Sequence, residues 1–91
     1  MKKCSLLMKE IHWEYIQKLH GLTKRELEVS QLVCGGLNNG EISKELKIRL
    51  GTVKTHLRNI YRRVSRPGAR IKNKISLLLK FAEDVRLDLR L

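Results

Sequence analysis

One stretch governs the architecture of this chain: Gly51-Thr-Val-Lys-Thr-His-Leu-Arg-Asn-Ile-Tyr-Arg-Arg-Val64. Its apolar side chains recur on one face of a helix with about 3.6 residues per turn. They are Val53, Leu57, Ile60 and Val64. A basic stripe runs along roughly the opposite face and consists of Lys54, Arg58 and Arg62, with Thr55 between them. The pattern predicts a helix that buries one face in a small core and presents cationic groups to a partner outside.

Two capping boxes precede this stretch and predict where the two upstream helices begin. In Thr23-Lys-Arg-Glu26 and in Asn38-Asn-Gly-Glu41, the first side chain can accept from the backbone amide three residues on, while the Glu reaches back. The first helix should end at Gly35-Gly36, and the second, shorter one should run through Leu46. Residues 47–51 leave room only for a turn. Two helices joined by a tight turn, the second carrying the basic stripe, are typical of a helix-turn-helix.

The two ends of the chain predict further helices. Residues 5–19 carry apolar side chains at steps of four, and Trp13 nearby is expected to cover apolar surface. Arg66-Pro67-Gly68 should end the basic helix, and a last helix should continue to about residue 87. We therefore predict an all-α fold: a four-helix bundle over residues 22–83, an N-terminal helical extension over 1–21, and a tail or helix extension over 84–91. The period-two alternation of residues 85–91 leaves an edge strand or a frayed tail open for that segment.

The charge distribution points to a polyanionic partner. The formal net charge is +11, and no acidic residue stands between Glu45 and Glu83. Such a one-signed region favours nucleic acid, less often an anionic membrane surface, with a merely solvated face as the third interpretation. No run approaches the ~20 apolar residues of a membrane span, and Cys4 and Cys34 do not form a disulfide framework. The sequence predicts a cytoplasmic protein that makes no membrane contact.

An enzyme is the least favoured class. The chain has no Ser-His-Asp or Cys-His arrangement with supporting motifs, no zinc-ligand spacing and no phosphate-binding glycine loop. We therefore predict no catalytic residues, no metal and no cofactor. RNA is less favoured than DNA because sequence-reading RNA modules usually stack bases on aromatic rings, and this chain has only 1 Trp, 2 Tyr and 1 Phe.

The spacing of many residues resembles the LuxR-type, or GerE-like, helix-turn-helix domain of bacterial transcription regulators. The resemblance covers about residues 22–65 closely and 66–82 loosely. It rests on Leu22-Thr23-x-x-Glu26-x-Glu28-Val29, Gly36-Leu37-Asn38-Asn39-x-Glu41-Ile42, Leu46-x-Ile48 and Thr52-Val53-Lys54-x-His56-Leu57-x-Asn59-Ile60. It implies sequence-specific binding of double-stranded DNA, with helix 51–64 in the major groove and the last helix joining two copies into a homodimer.

The resemblance also implies roles for individual residues. Those that would meet base edges are Lys54, Thr55 and Arg58. Those that would lie beside phosphates are Asn39, Lys44, Arg49, Thr52, His56 and Arg62. For His56, packing or hydrogen bonding at the edge of the domain is an equal alternative. The excess apolar surface of the last helix adds candidates for the dimer contact, namely Leu77, Leu78, Phe81, Ala82 and Val85.

The chain departs from the usual family pattern at three places. Arg49 stands where a Ser or Thr normally caps the recognition helix, so the capping oxygen is missing, although Arg49 could instead meet a phosphate. Gly40 replaces a residue that is commonly basic. Residues 66–74 are unlike the usual turn before the last helix. The third departure puts the geometry of the dimer in question more than the binding of DNA.

Regulation and context stay open at the level of sequence. Only 21 residues precede Leu22, too few for a receiver or ligand-binding domain, and the chain could be either a complete protein or a fragment. A protein-interaction module is the alternative function. In that case the apolar terminal helices would bind a larger regulator or RNA polymerase, and DNA contact would be minor.

Overall fold

A computed structural model describes the backbone of residues 10–68 and 70–89 and the side chains of residues 12–68 and 70–86. Within these ranges the chain forms five α-helices and no strand. They are α1 (Glu10–His20), α2 (Lys24–Cys34), α3 (Asn39–Leu46), α4 (Leu50–Val64) and α5 (Lys74–Leu89). The predicted all-α class is confirmed. The first residues of the predicted N-terminal helix, 5–9, lie outside the described ranges.

Both predicted capping boxes are present. The amide of Glu26 donates to Thr23 Oγ1 at 3.1 Å, and the amide of Thr23 donates to Glu26 Oε1 at 2.9 Å. The same exchange joins Asn38 and Glu41, at 2.9 and 2.8 Å. Each box satisfies backbone donors that the first turn of a helix leaves without a partner. The starts of α2 and α3 therefore follow directly from local sequence.

The turn between α3 and α4 is short and internally hydrogen-bonded. Lys47 takes a left-handed conformation with a φ of 56°, which ends α3. The amide of Ile48 donates to the Ser43 carbonyl at 3.0 Å, and the Ser43 hydroxyl donates to the carbonyl of Ile48. Helix α4 then begins at Leu50, one residue before the predicted start. Its first turn is thereby fixed relative to α3.

The core is one cluster to which all five helices contribute. The stripe predicted for α4 is buried throughout, with Val53 and Ile60 fully inaccessible and Leu57 and Val64 at most 5% exposed. Helix α4 packs on α2 and α3. These two helices add buried apolar side chains to the cluster, namely Val29, Leu32, Val33 and Ile42. Burial of one face of α4 leaves its basic face outward.

Helix α1 packs against α5 and covers one apolar stripe of that helix. Trp13 is 2% exposed, as predicted for a residue that covers apolar surface, and its ring meets Phe81 edge-on with centroids 5.7 Å apart. A buried polar contact joins the same two helices, because His20 Nε2 lies 2.8 Å from Asp84 Oδ2. Helix α5 continues to Leu89, slightly beyond the predicted residue 87, so residues 85–89 do not form an edge strand.

Three of the residues predicted for the dimer contact lie in the core of a single chain. Leu77 and Phe81 are fully buried and Val85 is 5% exposed. Helix α1 and the rest of the bundle cover them. Leu78 and Ala82 are half-buried. Among the described side chains of α5, Ile75 and Leu79 are the exposed large apolar ones, at 70% and 68% exposure.

Candidate nucleic-acid interface

The outward face of α4 carries the residues predicted to meet base edges. Lys54, Thr55 and Arg58 are exposed, and so are Thr52 and Arg62. Helix α4 contains no acidic residue that could neutralise this face. The amphipathic pattern of the sequence therefore becomes a cationic surface on a helix whose other side is held by the core.

Two of these side chains make local hydrogen bonds that set their orientation. The Thr55 hydroxyl donates to the carbonyl of Gly51, one turn earlier, at 3.0 Å. Arg62 Nη2 donates to Asn59 Oδ1 at 3.0 Å. The bond to a neutral amide leaves the full positive charge of Arg62 available to an anion.

The start of α4 is cationic and uncapped. Arg49 occupies the N-cap position with extended backbone, and within the described residues its side chain makes no hydrogen bond that caps the helix. The free backbone N–H groups of a first turn and the positive end of the helix dipole both favour an anion at this position. Leu50, which the sequence did not single out, lies beside Arg49 and is 44% exposed.

The remaining predicted phosphate contacts lie on α3 and along α4. Lys44 is exposed, whereas His56 and Asn39 are half-exposed. Asn39 Oδ1 is buried and has no hydrogen-bond partner in the described part of the chain. Both Asn39 and Lys44 lie on α3, the helix that packs directly on α4.

Tyr61 takes part in packing rather than in the exposed surface. Its ring is half-buried against the core cluster, and this burial raises the pKa of its phenol above the ordinary value.

One contact that holds α4 against α2 was not predicted from the sequence. Arg63 Nε lies 3.0 Å from Glu26 Oε1, and the Glu26 side chain is only 4% exposed. The contact ties the end of α4 to the start of α2. Glu26 was recognised for its role in the capping box, but no local pattern links it to a residue 37 positions away in sequence.

Among the described residues, no group of three or more His, Cys, Asp or Glu side chains could hold a metal ion. No helix within the described ranges is long and apolar enough to cross a membrane.

Comparison with known proteins assigns a family to the helix-turn-helix region. The model of the bacterial regulatory proteins of the luxR family matches residues 20–67, slightly more than half of the chain. This range contains α2, α3 and α4. The match is to regulatory proteins and not to an enzyme family.

Individual relatives are similar over slightly less than half of the chain. The transcriptional regulatory protein LiaR of Bacillus subtilis (strain 168) is 56% identical over 39 residues, which make up 43% of this chain and 18% of that protein. The HTH-type transcriptional regulator MalT of Yersinia enterocolitica is 42% identical over 43 residues, which make up 47% of this chain and 5% of that protein. MalT of Yersinia pestis (strain Pestoides F) matches to the same extent. The chain thus spans less than a fifth of the length of these curated relatives, and no solved structure matches it.

Proposed function

The chain belongs to the luxR family of bacterial regulatory proteins, and on this premise we propose that it regulates transcription by placing α4 in the major groove of double-stranded DNA. One observation carries the proposal: α4 buries Val53, Leu57, Ile60 and Val64 while its opposite face exposes Lys54, Arg58 and Arg62. The major groove is wide enough to admit one helix. The similarity to two proteins named as transcriptional regulators supports the same function, and the proposal includes a cytoplasmic location beside the DNA.

Affinity and specificity come from different residues of this surface. Lysine and arginine beside phosphates release condensed counterions, which supplies most of the affinity. The phosphate-contacting set is Asn39, Lys44, Arg49, Thr52, His56 and Arg62. Lys54 and Arg58 discriminate by donating to the acceptors of guanine, and Thr55 lies between them.

The protein acts as a homodimer joined through α5. Ile75 and Leu79 are exposed, and Leu78 and Ala82 are half-buried, so this face gains from being covered. Two copies related by a two-fold axis place their α4 helices about one helical turn of DNA apart, roughly 10 bp between the centres of the half-sites.

The decisive experiment is selection from a pool of random duplexes in about 150 mM salt, where non-specific phosphate binding is weak. The expected result is an enriched motif with two-fold symmetry. The matched control is the double variant Lys54→Ala and Arg58→Ala, which keeps the buried face of α4 intact and should enrich no motif. Retention of random sequence alone by the unmodified protein would contradict sequence-specific binding.

A protein-interaction module is the competing function, and the exposure of Ile75 and Leu79 is the observation that favours it. In that case these side chains bind a larger regulator or RNA polymerase, and the basic face contributes little. The same selection separates the two functions, because an interaction module enriches no motif. Within the leading proposal, RNA polymerase is a partner that the DNA-bound dimer recruits or blocks.

A further inference from the structure

The hydrogen bond of Thr55 determines what this residue can offer to a base. The hydroxyl donates to the carbonyl of Gly51 at 3.0 Å. A threonine hydroxyl carries a single hydrogen. While that bond is made, Thr55 cannot donate to N7 or O6 of guanine, to N7 of adenine or to O4 of thymine, which are the acceptors of the major groove.

The same bond turns the methyl group of Thr55 away from the helix backbone. The β-carbon carries the hydroxyl and the methyl in different staggered positions. Because the hydroxyl lies against the preceding turn, the methyl takes a position away from the Gly51 carbonyl. Thr55 is exposed on the outward face of α4. The methyl therefore stands on an open surface.

From this geometry we infer that Thr55 reads the 5-methyl group of a thymine, next to a guanine that Arg58 reads. Arg58 follows Thr55 by three residues and so lies on the same face of α4. Thymine is the base that presents a methyl group in the major groove, and an apolar side-chain group is its matching partner. The inference rests on the proposed function and adds the chemical group that one residue recognises.

The test uses the duplex enriched by the unmodified protein. Each thymine is replaced in turn by deoxyuridine, which removes only the 5-methyl group. We expect one thymine in each half-site at which this replacement weakens binding by roughly three- to fivefold, the size of one buried methyl group. That thymine should neighbour the guanine whose replacement is tolerated by the Arg58→Ala variant.

Two variants of Thr55 assign the effect to its methyl group. Thr55→Ser keeps the hydroxyl and deletes the methyl, so it should bind the thymine and deoxyuridine duplexes equally. Thr55→Val keeps a methyl and deletes the hydroxyl, so it should retain the preference for thymine. Arg62→Ala is the control, because loss of a phosphate contact should weaken both duplexes alike and leave their ratio unchanged. Because residue 55 is exposed, circular dichroism should show the same helix content in each protein.

The outcomes distinguish this inference from the proposal beneath it. A motif without a methyl-sensitive thymine, or a Thr55→Ser variant that keeps the preference, would overturn the reading of thymine and leave DNA binding standing. Failure of the unmodified protein to enrich any motif would overturn the proposed function, and this inference with it.

Discussion

Glu26 stabilises two helices with one carboxylate. Its Oε1 atom accepts from the amide of Thr23 at 2.9 Å and lies 3.0 Å from Arg63 Nε. The first contact is part of the cap at the start of α2, and the second anchors the last turn of α4 to that start. A buried acceptor with two donors costs more to remove than an exposed ion pair, because both donors lose a partner that water replaces poorly.

Glu26→Ala should therefore lower the free energy of unfolding by about 2 kcal/mol. Glu28→Ala is the matched control on the same helix, since Glu28 forms a more exposed pair with Arg25 at 3.3 Å. That control should change the stability by less than about 0.5 kcal/mol. Urea unfolding followed by circular dichroism measures both, and equal losses would show that neither the cap nor the contact with Arg63 adds stability beyond that of an exposed ion pair.

Arg58 and Arg62 carry the same charge, but replacing each by alanine should affect DNA binding in a different way. Arg58→Ala should cost about 1–3 kcal/mol of binding free energy on the selected motif and relax specificity at one or two positions. Arg62→Ala should weaken all sequences alike and reduce the salt dependence by about one counterion. Titration of matched and mismatched duplexes at several salt concentrations measures both effects. An unchanged sequence preference in Arg58→Ala would remove Arg58 from the base contacts.

At the scale of single elements, the start of α4 differs from the starts of α2 and α3. Thr23 and Asn38 cap their helices with side-chain oxygens, whereas Arg49 provides none. Helix α4 thus has a cationic residue at its N-cap, where the stability of the helix alone would favour a side-chain oxygen that accepts a hydrogen bond. A contact between Arg49 and a DNA phosphate would give the arginine a function that offsets the missing cap.

Arg49→Ser should raise the stability of the free protein by about 1 kcal/mol through the added cap. The same change should weaken DNA binding and flatten its salt dependence, because one phosphate contact is lost. Thr23→Ala is the opposite control: it should lower stability through loss of a cap that lies outside the interface. Thermal unfolding and salt titration provide the two measurements. A variant that gains stability and keeps its affinity would exclude Arg49 from the phosphate contacts.

The sequence predicted those features that depend on near neighbours. The caps of Thr23 and Asn38 are set within four residues, and the stripe of α4 repeats within one helix, so both could be read directly. Helix α5 carries two periodic apolar stripes, one with Leu77 and Phe81 and the other with Ile75 and Leu79. Periodicity cannot tell which stripe meets the core. The packing of α1 decides it, and that is a tertiary contact, as is the pair of Arg63 and Glu26.

At the scale of the whole molecule, α1 and α5 pack on each other and share one core with the helix-turn-helix. His20 and Asp84 link the two helices, and Lys80 Nζ lies 3.2 Å from Asp84 Oδ1. The buried carboxylate of Asp84 thus has cationic or donor groups on both sides. One stripe of α5 packs against α1, and the other stripe, with Ile75 and Leu79, is the one that we propose for the contact with a second copy.

Leu79→Asp should abolish the dimer and leave the fold of the single chain intact, since Leu79 is 68% exposed. Phe81→Ala should instead cost about 3–5 kcal/mol of unfolding free energy, because its ring is fully buried against Trp13. Sedimentation velocity measures the first effect and chemical unfolding the second. If Leu79→Asp unfolds the chain, or leaves it dimeric, the assignment of this stripe to the partner fails.

The burial of Trp13 against Phe81 has an optical consequence. Trp13 is the single tryptophan of the chain, and it lies on α1 with its ring buried against Phe81 of α5. Its emission therefore reports on the docking of α1 upon α5, while circular dichroism reports on all helices together. If both signals change at the same denaturant concentration, the terminal helices and the helix-turn-helix unfold as one cooperative unit. A change in emission at a lower denaturant concentration would show that α1 separates from α5 before the helix-turn-helix unfolds.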